Sequence, residues 1–425
     1  MERTPSPFAF RDFRFYWTAR FCATLAQNSM VVVIGWQVYD IARRTMDIHD
    51  AALRLGFVGI AQFLPLALLT LVVGWTADRI DRRWVARAAV ALDVFCAASL
   101  GLLAWTDTTT LEALFAIAML LGVARAFAGP ALGALAPNLV PPAVLPTAIA
   151  ASSIAWQTGA IAGPAAGGYL YAHSHWLPYA VASGLFGLTL IALFFIRPIP
   201  RTELDRKANP WRQMVEGLHY VRRNRLVLGA ISLDLFAVLL GGATAMLPIF
   251  ARDILHIGAE GLGHLRAAPA VGAAAVAFWF SARPLKTNVG VKMLGAVVLF
   301  GVATVVFGFS RWIPLSLLCL AVLGAADMVS VYVRQSLIQL YTPDAMRGRV
   351  GAVSSLFISG SNELGEAESG LLASLIGPVA AVVLGGVGAI LVTLLWARWF
   401  PELRNARTFD PPKSFEDIPG QEKAT

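Results

Sequence analysis

Twelve apolar runs, each about as long as a bilayer is thick, decide what this chain can fold into. They lie at about 15–41, 54–77, 84–105, 111–136, 147–172 and 176–196, then at about 226–251, 261–283, 290–310, 312–340, 350–375 and 377–399. About 20 consecutive apolar residues cross a hydrocarbon core, and a crossing backbone must satisfy its own hydrogen bonds. The runs therefore read as helices, and the predicted class is an all-α membrane protein with twelve transmembrane helices. Composition agrees: 57% of the 425 residues are hydrophobic and 14% are charged, against about 25% charged in a typical soluble domain. A soluble multidomain enzyme, a disordered chain and a fibrous one are all excluded on this count. The first run follows Arg3, Arg11 and Arg14 and is too long for a signal-peptide core, so we expect it to be retained. Cys22, Cys96 and Cys319 sit in apolar runs, with neither metal-ligand nor disulfide spacing.

A net charge of +8 invites a nucleic-acid reading, but the placement of the charge opposes it. With the N-terminus inside and the runs alternating, 25 of the 34 basic residues fall in the cytoplasm. Only Arg43, Arg44, Arg54, Arg252 and Arg311 fall outside, and four arginines lie within runs. This is the positive-inside pattern, and it predicts both termini on the cytoplasmic side.

The segment 197–225 is the only long polar stretch in the interior of the chain. It divides the runs into two sets of six. The expected organisation is a bundle over 1–196, a cytoplasmic linker over 197–225, a second bundle over 226–400 and a cytoplasmic tail over 401–425. Within the linker, Met214, Leu218 and Val221 share one helical face and Arg222, Arg223 and Arg225 form a basic end. That pattern suits either an amphipathic helix at the headgroups or a solvated connector. Sliding the chain by 202 positions sets Leu121-Gly122 on Leu323-Gly324, Pro141 on Pro343, Gly163 on Gly365 and Gly168 on Gly370. The two bundles are therefore expected to be pseudo-symmetric repeats, as in transporters with two six-helix halves.

Between the second and third runs stands Gly74-Trp75-Thr76-Ala77-Asp78-Arg79-Ile80-Asp81-Arg82-Arg83. It resembles the signature loop of the major facilitator superfamily, G-x-x-x-D-R-x-G-R followed by Lys or Arg. Asp81 replaces the second glycine of that pattern. The resemblance implies a cytoplasmic gate loop, its aspartate near a helix end and paired with neighbouring arginines. In the fourth run, Arg125-Ala126-Phe127-Ala128-Gly129 is similar to the family's R-x-x-Q-G, with Ala128 in place of Gln. In the fifth, Gly159, Gly163, Pro164, Gly167 and Gly168 resemble the core of its antiporter motif. Glycines there would allow close helix approach and the proline a bend. The resemblance implies a bend that seals one side of a cavity, and export rather than import.

Charges inside the runs are costly and so informative. The eleventh run carries Glu363, Glu366 and Glu368 in an otherwise apolar stretch. Glu363 and Glu366, three apart, share a face. We expect them, with Asp234 and Asp327, to serve proton coupling; the alternative is that Glu368, and Glu366 with it, faces an outer vestibule as a solvated charge. Arg125 and Asp327 occupy matching positions in the repeat and could form a charge relay across a central cavity, or each could pair with some other group. Arg20, Arg266 and Arg334 are the remaining intramembrane cations, able to meet an anionic substrate or to neutralise the acids. Asp93 is expected to pair with the arginines of the nearby loop.

Further segments, Arg11-Asp12-Phe13-Arg14, Gly35-Trp36-Gln37-Val38-Tyr39-Asp40, Met246-Leu247-Pro248 and the stretch from Thr342 to Arg349, resemble the bacterial enterobactin (siderophore) exporter branch of that superfamily. This implies a multi-pass exporter of the bacterial inner membrane, driven by protons through alternating access and moving a siderophore or a drug-like amphipathic compound. An uncoupled facilitator or importer of a small metabolite remains an alternative, as does a non-transporting sensor or scaffold. The expected partners are a small-molecule substrate, protons and the lipid bilayer, with no nucleic acid, and the chain is expected to act as a monomer. No nucleophile–base pair, metal-ligand cluster or phosphate loop appears, so neither an enzyme nor a bound metal or cofactor is expected.

Overall fold

A computed structural model describes residues 6–133, 135, 139–141, 144–197, 210–283, 285 and 287–409. The first part of the linker (198–209) and the end of the tail (410–425) lie outside the described residues. Among those described the chain is helical, without strands. In order, the helices are α1 (Arg11–Thr45), α2 (Ile48–Arg79), α3 (Arg82–Trp105), α4 (Leu111–Gly133), α5 (Leu145–His173), α6 (Leu177–Phe194), α7 (Pro210–Arg223), α8 (Arg225–Leu240), α9 (Leu247–Ile249), α10 (Gly258–Ala282), α11 (Val289–Phe309), α12 (Ile313–Leu340), α13 (Asp344–Ile376), α14 (Pro378–Trp399) and α15 (Pro401–Arg404). Eight of them are long and apolar enough to cross a membrane on composition alone: α1, α2, α3, α4, α6, α11, α12 and α14. Of the four remaining predicted spans, α13 carries the three glutamates, α5 and α10 are rich in small residues, and α8 is short.

The short α8 corrects the sequence reading. The seventh run was expected to be one helix over 226–251, but α8 ends at Leu240 and a turn follows through Met246. A three-residue α9 and a π-helical turn, Phe250–Ile254, complete the segment. The cause is the Gly241-Gly242 pair. A Cβ on Gly242 would clash with the Ser369 side chain of α13, and one on Gly241 would lie 2.6 Å from the Phe300 ring of α11. The chain turns where only glycine can pass.

Two units emerge from the contacts. The first comprises 1–204 with 247–267, and the second comprises 205–246 with 268–425. The same internal pattern recurs in each. In the first, α1 packs on α5 and α6, and α3 packs on α4 and α6. In the second, α8 packs on α13 and α14, and α11 packs on α12 and α14. The 202-position offset also carries Leu111, where α4 begins, onto Ile313, where α12 begins. Large apolar side chains such as Phe95, Leu102, Ile191, Phe278, Leu318 and Leu391 are exposed on the helices, the surface a bilayer covers and water does not tolerate.

The linker helix α7 docks on the second unit. Glu216 pairs with Arg349 at 2.7 Å, and the Tyr220 hydroxyl donates to the Tyr341 carbonyl at 2.6 Å. Met214 and Val221 join an apolar cluster with Val227, Ile231, Ile338 and Val350. Leu218, expected on that face, is instead exposed. Gly217 approaches the Arg349 backbone so closely that the contact centres on it and turns Leu218 outward.

Candidate functional site

The break after α8 opens into a cavity of about 300 Å³ within the second unit. Gly241, Gly242 and Thr244 line it from the break, Asp327 from α12, and Asn362 and Glu366 from α13. Phe300, Leu323 and Pro269 supply apolar wall. Asn362 and Glu366 are four residues apart, so one face of α13 delivers both. Glu363 is buried at 7% exposure but is not part of this wall. Of the expected proton-coupling residues, the cavity thus brings together Glu366 and Asp327. Glu368 is half-buried and its Oε2 is buried without a hydrogen-bond partner.

Asp234 lies apart from the cavity wall. On α8, it forms an ion pair with Arg334 of α12, and both side chains are nearly fully buried. Two residues expected in different roles, one coupling protons and one meeting substrate, therefore neutralise each other. Arg20 and Arg125 are half-buried on α1 and α4 of the first unit, and Arg266 on the part of α10 that belongs to it. The Nε atoms of Arg20 and Arg266 are buried without a hydrogen-bond partner. Asp327 stands on α12 of the second unit, at the repeat position of Arg125.

At the gate loop, α2 runs through Gly74 and Asp78 to Arg79. The side chains of Asp78 and Arg79 lie outside what is described, and a Cβ position at Gly74 likewise. The acid that caps and pairs here is Asp81. Its carboxylate accepts from the Arg83 backbone N–H at 2.9 Å and binds the Arg83 guanidinium at 2.7 Å, capping α3. With φ at −59° the position needs no glycine, so the departure from the family pattern leaves the turn intact. Arg82 begins α3 beside it. Arg87 donates to the Leu193 carbonyl and stacks on Trp84 and Phe194. Asp93, expected to meet these arginines, is 1% exposed and its Oδ1 has no hydrogen-bond partner. It lies three helical turns beyond Asp81, out of reach of the loop.

The glycines of α5 meet α1 at backbone distance. A Cβ on Gly159 would lie 2.9 Å from the Thr24 side chain, on Gly163 2.7 Å from the Leu25 carbonyl, and on Gly167 2.8 Å from the Ser29 carbonyl. Gly168 faces Gly263 of α10 in the same way. Pro164 sits within this continuous helix.

Sequence reasoning missed a cluster in the first unit. Asp40 pairs with Arg252 at 2.6 Å and with Arg44 at 3.2 Å, while Arg43 pairs with Asp253 at 3.2 Å. The Tyr39 hydroxyl donates to the same Asp253. These contacts clamp the π-helical turn to the end of α1. The available signal was a pair of oppositely charged dipeptide-scale clusters, Asp40 with Arg43 and Arg252 with Asp253, at two ends assigned to one side of the membrane.

The profile of the Major Facilitator Superfamily matches residues 16–365. The chain belongs to that superfamily. This facilitator is 27% identical over 402 residues to the enterobactin exporter EntS of Citrobacter koseri, covering 94% of each chain. To the enterobactin exporter EntS of Escherichia coli O1:K1 / APEC it is 26% identical over 407 residues, covering 95% of each. Among solved structures, a bacterial homologue of the human lysosomal transporter Spinster superposes with a TM-score of 0.73 at 15% identity, covering 92% of this chain and 98% of that one. The xylose transporter XylE from E. coli superposes with a TM-score of 0.71 at 14% identity, covering 96% and 99%. At such identities the structural likeness shows the fold alone. The facilitator is a multi-pass membrane transporter and not an enzyme, of a family that moves small molecules.

Proposed function

We propose that this facilitator exports a small amphipathic compound, a siderophore or a drug-like molecule, in exchange for protons and by alternating access. The observation that carries the coupling is the acidic face of α13: Glu366 enters the cavity of the second unit with Asp327, and Glu363 is buried one turn before it. Carboxylates within a membrane span are costly, face the bundle interior or a cavity, and mark ion and proton pathways. The direction of transport rests on the glycine-proline pattern of α5 and on the exporter relatives. The bacterial exporter relatives support an inner-membrane location, and the positive-inside distribution supports both termini in the cytoplasm. Protons, a small-molecule cargo and lipid are its partners in this reading, with no nucleic acid, and it works as a monomer.

Uptake into everted vesicles, read together with substrate-dependent proton flux, tests this. Glu366→Gln is expected to abolish coupled transport while the protein remains folded and monodisperse. Proton-driven transport that survives both Glu363→Gln and Glu366→Gln would remove these residues from the mechanism.

A further inference from the structure

We infer that the cavity of the second unit binds the protonated amine of a small organic cation, with Asp327 as its counter-ion. The inference deepens the export reading by naming the charge of the cargo, and it rests on that reading for the statement that the occupant is cargo.

The sign of the charge follows from the wall. Its titratable side chains are the acids Asp327 and Glu366, and among the described residues no Lys, Arg or His lines it. The backbone adds in the same direction. Helix α8 stops at Leu240 beside the cavity, and Val238 and Gly241 are part of the wall. The last turn of a helix carries partial negative charge on its unsatisfied carbonyls. A helix broken within a membrane, presenting its C-terminal end to a cavity, favours a cation there. An anion would meet the Asp327 carboxylate and a helix C-terminus, with no basic side chain among the described wall residues.

A second, independent observation concerns Asp327 itself. No described residue offers its carboxylate a hydrogen bond or an ion pair. The bundle does neutralise another acid from the same helix: Arg334, seven residues further along α12, is committed to Asp234. Two helical turns separate the two backbone positions by about 10 Å along the axis. Asp234 is matched internally, whereas Asp327 faces the cavity.

Size and chemistry separate an organic cation from a metal ion. A volume of about 300 Å³ stands at the lower end of the range of small-molecule sites. Among the described residues no group of three or more His, Cys, Asp or Glu could hold a metal ion. The Thr244 hydroxyl and the Asn362 amide can take the remaining hydrogen bonds of an ammonium group. The Phe300 ring offers apolar surface and a face suited to a cation.

Three molecules of one shape and different charge test the inference: benzylamine, benzyl alcohol and benzoate, measured by equilibrium dialysis against the purified full chain in detergent. Benzylamine is expected to bind at least about tenfold more tightly than benzyl alcohol, with benzoate weakest. In Asp327→Asn the preference for the amine should fall to within about threefold, and Asp327→Glu should restore it. Ala273→Phe, which puts a bulky ring at another lining position, should abolish binding of all three. Equal affinities in the wild type, or preference for benzoate, would overturn the inference without any variant. So would an amine preference that persists in a folded Asp327→Asn protein. Sodium chloride displacing benzylamine at lower concentration than benzylamine itself binds would assign the cavity to an inorganic cation, and would equally overturn it. The assay needs no gradient, so failure of proton coupling and failure of the cation site are read separately.

Discussion

Asp234 and Arg334 are exposed by only 5% and 3%, and each is tolerable in that setting because of the other. Removing one partner leaves an uncompensated buried charge. Asp234→Asn or Arg334→Met alone should therefore lower stability by about 3–5 kcal/mol, while the double change Asp234→Leu with Arg334→Met should recover most of it. Thermal unfolding of the purified protein in detergent checks the stability. Transport by the double variant then decides the role: normal activity would assign the pair to structure, whereas loss of activity in a folded protein would return it to the coupling machinery. From the sequence each residue was legible as an intramembrane charge. Their pairing was not, because 100 positions separate them and only the packing of α8 on α12 brings them together.

At the scale of elements, α5 and α1 make the close approach that a motif foretold. The glycines at 159, 163 and 167 recur every four residues and so form one stripe, along which the α1 backbone lies. Because the atoms opposite Gly163 are main-chain, no rotamer change can make room. Gly163→Val should destabilise the first unit by about 1–3 kcal/mol or more and lower the yield of folded protein. Gly129→Ala, where a Cβ would meet nothing within 4 Å, should leave the melting temperature unchanged or slightly raised. Parallel melting curves compare the two. The broken seventh span is the counterexample. Its apolar run continues unbroken through Gly241-Gly242, so hydropathy alone reads a single helix. The constraint comes from Phe300 and Ser369, residues far along the chain.

At the scale of the whole molecule, the boundary between the two units does not follow the chain order. Residues 247–267 come after the linker yet belong to the first unit, where Arg252 and Asp253 hold their turn to α1. The clamp side chains are between 18% and 29% exposed, Arg44 apart, and one such pair is worth at most about 1 kcal/mol. A fastening of that strength can open during a transport cycle. Asp253→Arg should raise hydrogen exchange across 247–257 by up to about fivefold. The exchange-of-charge variant, Asp253→Arg with Arg43→Asp, should bring it back toward the wild-type rate. If exchange is unaltered in the single variant, the charges do not hold this segment.

The sequence by itself determined the quantities that depend on neighbours along the chain. These are the helical class, the number of runs, the repeat at an offset of 202 positions, the basic bias from one side to the other, and the glycine stripe of α5. Each is a matter of period, length or composition, and a bilayer leaves a crossing chain almost no alternative to the helix. Tertiary structure alone decided what the intramembrane charges face. It gave Arg334 to Asp234, left Asp327 looking into a cavity, and tied Arg252 and Asp253 to α1. A charge in an apolar interior is defined by the group across from it, and that group is supplied by another helix.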